Sequence, residues 1–201
     1  MRIRFLIFPI LLGISTVHAD EDVDRIIAAI DSISNVTGTL GQALHSWTGA
    51  WSDLEMAKLP FLSHTLLKQI NTATTTARKS RKLDDVESID IQEPAHRLVA
   101  DTNITLIHAI EAKQKLEENN PYLLVPGIRL TLLHTLKKQI LASAQLSQAM
   151  FDVFTGSWGK DDANRTGVAI QGLFNNAIAI YEGSVPPART LQGKLSVNNE
   201  G

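Results

Sequence analysis

The chain has 201 residues, with 19 Lys and Arg against 21 Asp and Glu, 44% apolar residues and no cysteine. The missing cysteines exclude a disulfide framework, thiol catalysis, CxxC redox chemistry and cysteine zinc sites, and the formal net charge of −2 gives no electrostatic case for nucleic-acid binding. One domain of this length buries roughly two-thirds of the surface its unfolded chain exposes, so the core has to hold the fold alone.

The first segment reads as a secretory signal peptide over residues 1–19. Arg2 and Arg4 precede an apolar run from Phe5 to Ile14, Val17-His18-Ala19 forms a V-x-A cleavage signature, and Asp20-Glu21-Asp22 follows at once. The run is too short to span ~30 Å of hydrocarbon. Cleavage after Ala19 removes two arginines and no acid, which takes the net charge from −2 to −4. Behind such a peptide, the sequons at Asn35, Asn103 and Asn164 are candidate glycosylation sites, each expected to face solvent.

Apolar residues then recur at Val23, Ile26, Ile30, Ile33, Leu40, Leu44 and Trp47, with Thr37 in the one polar slot. Three-four spacing over that length predicts a long amphipathic helix. Asn35 falls on its opposite face, and Gly38 and Gly41 mark a bend or a close helix contact. Ser52 or Asp53 is expected to cap a second helix, with Pro60 in its first turns. That helix carries Phe61, Leu62, Leu66, Leu67, Ile70, Ala73 and Ala77 and ends in Arg78, Lys79, Arg81 and Lys82, which complement the C-terminal dipole. Asp84, Asp85 and Glu87 lie beside these cations and partly neutralise them.

Residues 83–93 read as a polar connection. A third helix is expected from Pro94 to Glu118, with Leu98, Val99, Leu106, Ile107, Ile110 and Leu116 inside and Asn119-Asn120-Pro121 as its stop. A fourth covers Leu123 to Phe154, with Pro126 and Gly127 marking its start. It is apolar over more than half its circumference, which reads most simply as a central helix surrounded by the others. Gly156-Ser157-Trp158-Gly159 reads as a loop, and Asp161 or Asp162 as the cap of a fifth helix carrying Val168, Ile170, Phe174, Ile178 and Tyr181 and closed by Gly183. The fold class is all-α: an up-down bundle of about five amphipathic helices over residues 20–183, followed by a flexible tail at 184–201.

No G-x-S-x-G elbow, dinucleotide fingerprint, P-loop or H-E-x-x-H motif occurs. His45, His64, His96, His108 and His134 form no i+3 or i+4 pair, so no helical metal site is expected. Asp162-Ala163-Asn164-Arg165-Thr166-Gly167 opens like a calcium loop, but its twelfth position is Leu173, which reads as a helix start instead. Paired carboxylates such as Asp84 and Asp85, or Glu117 and Glu118, sit in linkers and helix ends rather than across a cleft. No catalytic residue, metal or cofactor is assigned, and the chain reads as a binding protein rather than an enzyme.

The excess apolar character on the helices carries the functional reading. Either it is ordinary core or the bundle encloses a cavity for an apolar ligand. Burying an acyl chain of ~14 methylenes gains ~11 kcal/mol gross, less several for immobilisation. The candidate lining is Ile30, Ile33, Leu66, Ile70, Leu106, Ile110, Leu132, Leu136, Ile140, Phe174 and Ile178. Trp47, Trp51 and Trp158 fall in expected loops, where they either touch a surface or pack against helix ends.

The opening Asp22-Val23-Asp24-Arg25-Ile26-Ile27-Ala28-Ala29-Ile30, the segment Ile107-His108-Ala109-Ile110-Glu111-Ala112-Lys113-Gln114-Lys115-Leu116 and the stretch Leu132-Leu133-His134-Thr135-Leu136-Lys137 resemble the fungal hydrophobic surface-binding protein A family, which includes cell-wall galactomannoproteins. The likeness covers about Asp22 to Glu182. It implies a secreted or wall-associated protein that adsorbs to hydrophobic surfaces or takes a fatty acid into a helical bundle. The alternative is a structural or recognition protein of the cell wall or host interface with a filled core. The chain departs from the family in a longer loop at Asn119 to Gly127 and in the charge at Arg78 to Lys82. Its tail ends Asn198-Asn199-Glu200-Gly201, without the hydrophobic terminus of a glycolipid anchor signal.

Overall fold

Five helices form in the expected order: α1 (Phe8–Ser46), α2 (Leu54–Lys79), α3 (Asp85–Asn119), α4 (Pro126–Val153) and α5 (Ser157–Glu182). The computed structural model describes residues 8–48, 54–119 and 126–183. The expected cap at Ser52 or Asp53, Trp51, Pro121 and the tail at 184–201 lie outside the described residues. The whole apolar series of the first helix is buried, Thr37 included, and Asn35 is exposed. Gly183 ends α5 in the left-handed conformation with φ 80°, its N–H reaching the carbonyls of Ala179 and Ile180.

Two helix starts differ from expectation, each for a physical reason. The third helix begins at Asp85, not Pro94, so Pro94 is a buried interior residue. Its cap is local: Asp84 Oδ1 accepts from the N–H groups of Val86 (2.9 Å) and Glu87 (3.0 Å), while Glu87 Oε2 accepts from the Asp84 N–H at 3.0 Å. That reciprocal pair is a capping box. The fifth helix begins at Ser157, so Trp158 sits in its first turn and Asp161 and Asp162 lie inside it. No side chain of its own caps this end. Asp85 Oδ1 on α3 accepts from the Gly159 N–H at 3.1 Å instead, and a Cβ at Gly156 would meet that same carboxylate within 2.3 Å.

The helices close into a ring. α1 packs on α2 and α3, α3 on α5, α5 on α4, and α4 on α2, so the order around the ring is α1, α3, α5, α4, α2. Among the described residues no helix fills the middle. The expectation of a central fourth helix is therefore overturned: α4 is one wall, and part of its apolar excess, Leu130 and Leu141, faces outward. Phe61 and Val168 are likewise exposed. Each sits about 100–200° around its helix from the inward series, Leu59, Leu66 and Ile70 on α2 and Gly167, Ile170 and Phe174 on α5.

Short connections make consecutive helices antiparallel, and the cross-ring pairings make α1 and α3 parallel. Asp31 pairs with Arg97 (2.6 Å), Ser34 with Asp101, Thr105 Oγ1 donates to the Thr37 carbonyl (2.9 Å), His108 Nδ1 meets the Gly41 carbonyl (3.0 Å), and Lys115 Nζ donates to the carbonyls of His45 and Trp47. Gly41 is where this seam is tightest, since a Cβ there would lie 2.7 Å from Thr105 Oγ1 and 3.4 Å from Thr105 Cα.

One end of the ring is sealed. Leu83, with no exposed surface, pairs with Phe154 in an isolated parallel bridge: its N–H donates to the Val153 carbonyl at 2.9 Å, and its carbonyl accepts from the Thr155 N–H at 2.8 Å. Lys82 Nζ donates to the Asp152 carbonyl at the end of α4, and Arg81 pairs with Glu87. Arg81 and Lys82 thus lie beyond the end of α2, and the linker cations tie helices together.

Candidate functional site

The ring surrounds a lumen of about 120 Å³ that touches all five helices. Its wall is formed largely by buried core residues on the inward face of each helix. α1 contributes Ile30, Ile33 and Leu40; α2 contributes Leu59, Leu66 and Ile70; α3 contributes Ile91, Leu98 and Leu106. Of the eleven residues assigned from sequence, Ile30, Ile33, Leu66, Ile70, Leu106, Leu132, Leu136 and Phe174 lie on the wall. Ile110 is buried in the core without lining the lumen, and Ile140 and Ile178 are half-buried on other faces.

The sequence reading missed a polar stripe on the lumen side of α4: Thr135, Gln139, Ser143 and Ser147, each one turn from the next. That i, i+4 spacing inside an apolar helix was the available signal. Two members are partnered. Thr135 Oγ1 donates to the Thr131 carbonyl (2.9 Å), and Ser147 Oγ to the Ala163 carbonyl (3.3 Å) on α5. Gln139 is not: it is 3% exposed, and its Nε2 is a buried donor with no acceptor. An unmade hydrogen bond of this kind costs ~1–3 kcal/mol.

Two further polar groups on the wall, Tyr181 and Asp162, have partners. The Tyr181 hydroxyl donates to the Ala109 carbonyl at 2.7 Å, and burial pushes its pKa above the ordinary phenol range, so it stays protonated. Among the described lining residues Asp162 is the one carboxylate, and its Oδ1 faces His96 Nε2 (3.2 Å) and Gln92 Nε2 (3.4 Å). No lysine, arginine or histidine is among these described residues. The described lining is largely apolar, a surface chemically suited to hydrocarbon. Cavities of about 150 Å³ lined by Leu, Ile and Phe stay dry and take up benzene. At its present volume the lumen seats a compact apolar group, and a long chain requires the walls to part.

The remaining sequence candidates distribute as follows. Trp47 is fully buried at the end of α1, while Trp158 is 41% exposed. Asn35 and Asn164 are exposed, but Asn103 is half-buried, since α3 packs on both α1 and α5. The histidines, separate in sequence, do meet in space. His45 and His108 have ring centroids 4.6 Å apart across the α1–α3 seam, and with Glu111 they offer three donor atoms within 4.8 Å, a set suited to a divalent ion. Among the described residues no helix is long and apolar enough to cross a membrane.

The family model described as hydrophobic surface binding protein A matches residues 23–152. No curated protein matches the chain. Solved structures share its fold. Afmp4p in complex with palmitic acid superposes with a TM-score of 0.70 at 21% identity, over 79% of this chain and 99% of that one. Ligand-binding domain 1 of Penicillium marneffei MP1 protein, complexed with arachidonic acids, gives 0.70 at 17% identity over 80% of this chain and 98% of that one. Domain 2 of the same protein, complexed with multiple arachidonic acids, gives 0.70 at 15% identity over 80% and 96%.

Proposed function

The chain belongs to the hydrophobic surface binding protein A family, and from that premise we propose that it is a secreted binding protein whose helical ring takes up the acyl chain of a fatty acid. The observation that carries this is the absence of a central helix: five amphipathic helices surround an apolar lumen where a filled bundle would put side chains. A filled core is what the cell-wall recognition alternative requires, so the lumen favours ligand binding. The fatty-acid complexes of proteins with the same fold point to the ligand class. In this reading residues 1–19 are removed on secretion, Asn35 and Asn164 carry glycans on outer faces, the tail at 184–201 is flexible, and the protein resides outside the cell or at the wall. It acts by sequestration, without catalysis.

Adsorption to a hydrophobic surface is a second mode of the same chain. Leu130 and Leu141 on α4 are 60% and 63% exposed, on nearly the same line of the helix. This outer strip is separate from the lumen.

Native mass spectrometry of the deglycosylated protein from its secreting host, followed by palmitic acid titration, tests the first mode. A co-purifying or saturable acyl ligand is the expected result. No ligand and no saturable uptake would leave only surface adsorption. Loss of binding to alkyl-coated beads on Leu130→Lys with Leu141→Lys, with palmitic acid uptake intact, separates the two modes.

A further inference from the structure

We infer that Gln139 is the anchor for the head of the ligand: its Nε2 donates to an uncharged acyl carbonyl, so the ligand sits with its head inside the lumen rather than at the rim. This rests on the acyl-binding reading above and adds which end goes where and which head groups are accepted.

Gln139 is nine-tenths buried on a wall of leucines, and its amide N–H groups have no acceptor in the fold. Among the described residues the wall continues past it in both directions along α4, from Leu132 to Met150. At 1.5 Å per residue, Gln139 lies ~10 Å in from the Leu132 end. The cross-ring pairings set its level: α2 runs parallel to α4 from the Leu83–Phe154 bridge, and α5 runs back from Ser147–Ala163 toward Lys137–Glu182. That register brings Ile70 and Phe174 to the height of Gln139, so the amide faces hydrocarbon on α2 and α5. Along its own helix Thr135 and Ser143, one turn to either side, flank it with hydroxyls.

The charge of the wall fixes the kind of acceptor. A carboxylate taken into a dry lumen needs a cation or several donors. Among the described residues the lining has no lysine, arginine or histidine, and its one charged residue, Asp162, repels an anion. The cations nearest in sequence point elsewhere: Lys137 pairs with Glu182, and Lys138 and Lys68 are exposed. A neutral carbonyl, of an ester or of a protonated acid, satisfies the orphan N–H at no such cost. From Gln139 the alkyl tail runs toward the sealed Leu83–Phe154 end, along Leu146 and Met150.

The test is a binding cycle at neutral pH. Methyl palmitate, palmitic acid and hexadecane are titrated into wild type and Gln139→Leu, with Gln139→Met as a second variant of closer shape. One good hydrogen bond is worth about tenfold in affinity. The ester is expected to bind wild type about tenfold more tightly than its binding to either variant, whereas hexadecane binds all three alike. Isotope-edited infrared of ¹³C-carbonyl methyl palmitate is expected to show a lowered C=O stretch in wild type and a free one in Gln139→Leu. Palmitic acid binding tenfold more tightly than its ester would overturn the neutral-head inference. Equal ester affinity for wild type and both variants, or an unshifted C=O stretch in wild type, would remove Gln139 as the anchor and leave the lumen standing. Failure of every ligand to bind wild type would instead remove the lumen reading itself, and this inference with it.

Discussion

Between α1 and α3 the wall of the ring is a ladder of bonds; on the facing side α4 turns an unpaired amide inward and leucines outward. Along the first seam a partner recurs about every turn, from Asp31–Arg97 through Thr37–Thr105 to Lys115 at the Trp47 carbonyl, and Gly41 lets the two backbones approach. Such a seam has one register and strong reasons to stay closed. The described residues between α2 and α4 show no comparable ladder, and α4 meets its neighbours largely through Leu, Ile and Met. Apolar contact is non-directional and tolerates sliding, whereas a hydrogen bond out of line is lost. The α2–α4 contact, held mainly by side-chain shape, is the one that can yield to a ligand larger than the lumen, while the laddered wall keeps the ring in register.

That contrast can be broken first at its hinge, the sealed end. Leu83→Ala removes a side chain with no exposed surface and is expected to cost ~3 kcal/mol of stability, read by denaturant unfolding. A loss below ~1 kcal/mol would mean the end is not fixed by this packing. Next comes the ladder. Gly41→Val drives a branched side chain into Thr105 and is expected to cost ~2 kcal/mol, whereas Gly38→Ala, with nothing within 4 Å, is expected to raise stability by ~0.5–1 kcal/mol. Similar losses at both glycines would show that α1 and α3 do not touch as described.

On the facing wall the expected sign reverses. Gln139→Leu removes a buried unsatisfied donor and should stabilise the ligand-free protein by ~1 kcal/mol in thermal unfolding. A native residue that costs stability at one place is a sign of function there. Destabilisation would mean that the amide has a partner in solution. The smallest effect belongs to the exposed rung. Asp31→Asn should change stability by no more than ~0.5 kcal/mol, less at high salt, because both members of the Asp31–Arg97 pair are about half exposed. A larger loss would make the ladder cooperative.

Much of this molecule was legible one residue at a time. Val23 to Trp47 reads as a helix with a named buried face because burial follows a 3.6-residue period, and Thr37 was legible as a member of that face. The start of α3 was legible too, since Asp84-Asp85-Val86-Glu87 is a capping box, but Pro94 drew attention as the more familiar start signal. The eight lining residues were legible as inward-facing, and inward-facing is all that periodicity conveys. Ile110, Ile140 and Ile178 fit the same pattern as the eight and do not reach the lumen.

The sequence by itself determined five helices, their inward faces, the absence of covalent staples and membership of a family. Those follow from local spacing and composition, which act within a turn or two of each residue. Only the tertiary structure decided that the helices close in the order α1, α3, α5, α4, α2 with none of the five at the centre. The same holds for the cap of α5, which comes from Asp85 more than seventy residues earlier, and for Gln139, whose Nε2 faces the lumen with no partner among the described residues. Each depends on which helix stands opposite which, and amphipathic periodicity states that a face is buried without stating against what.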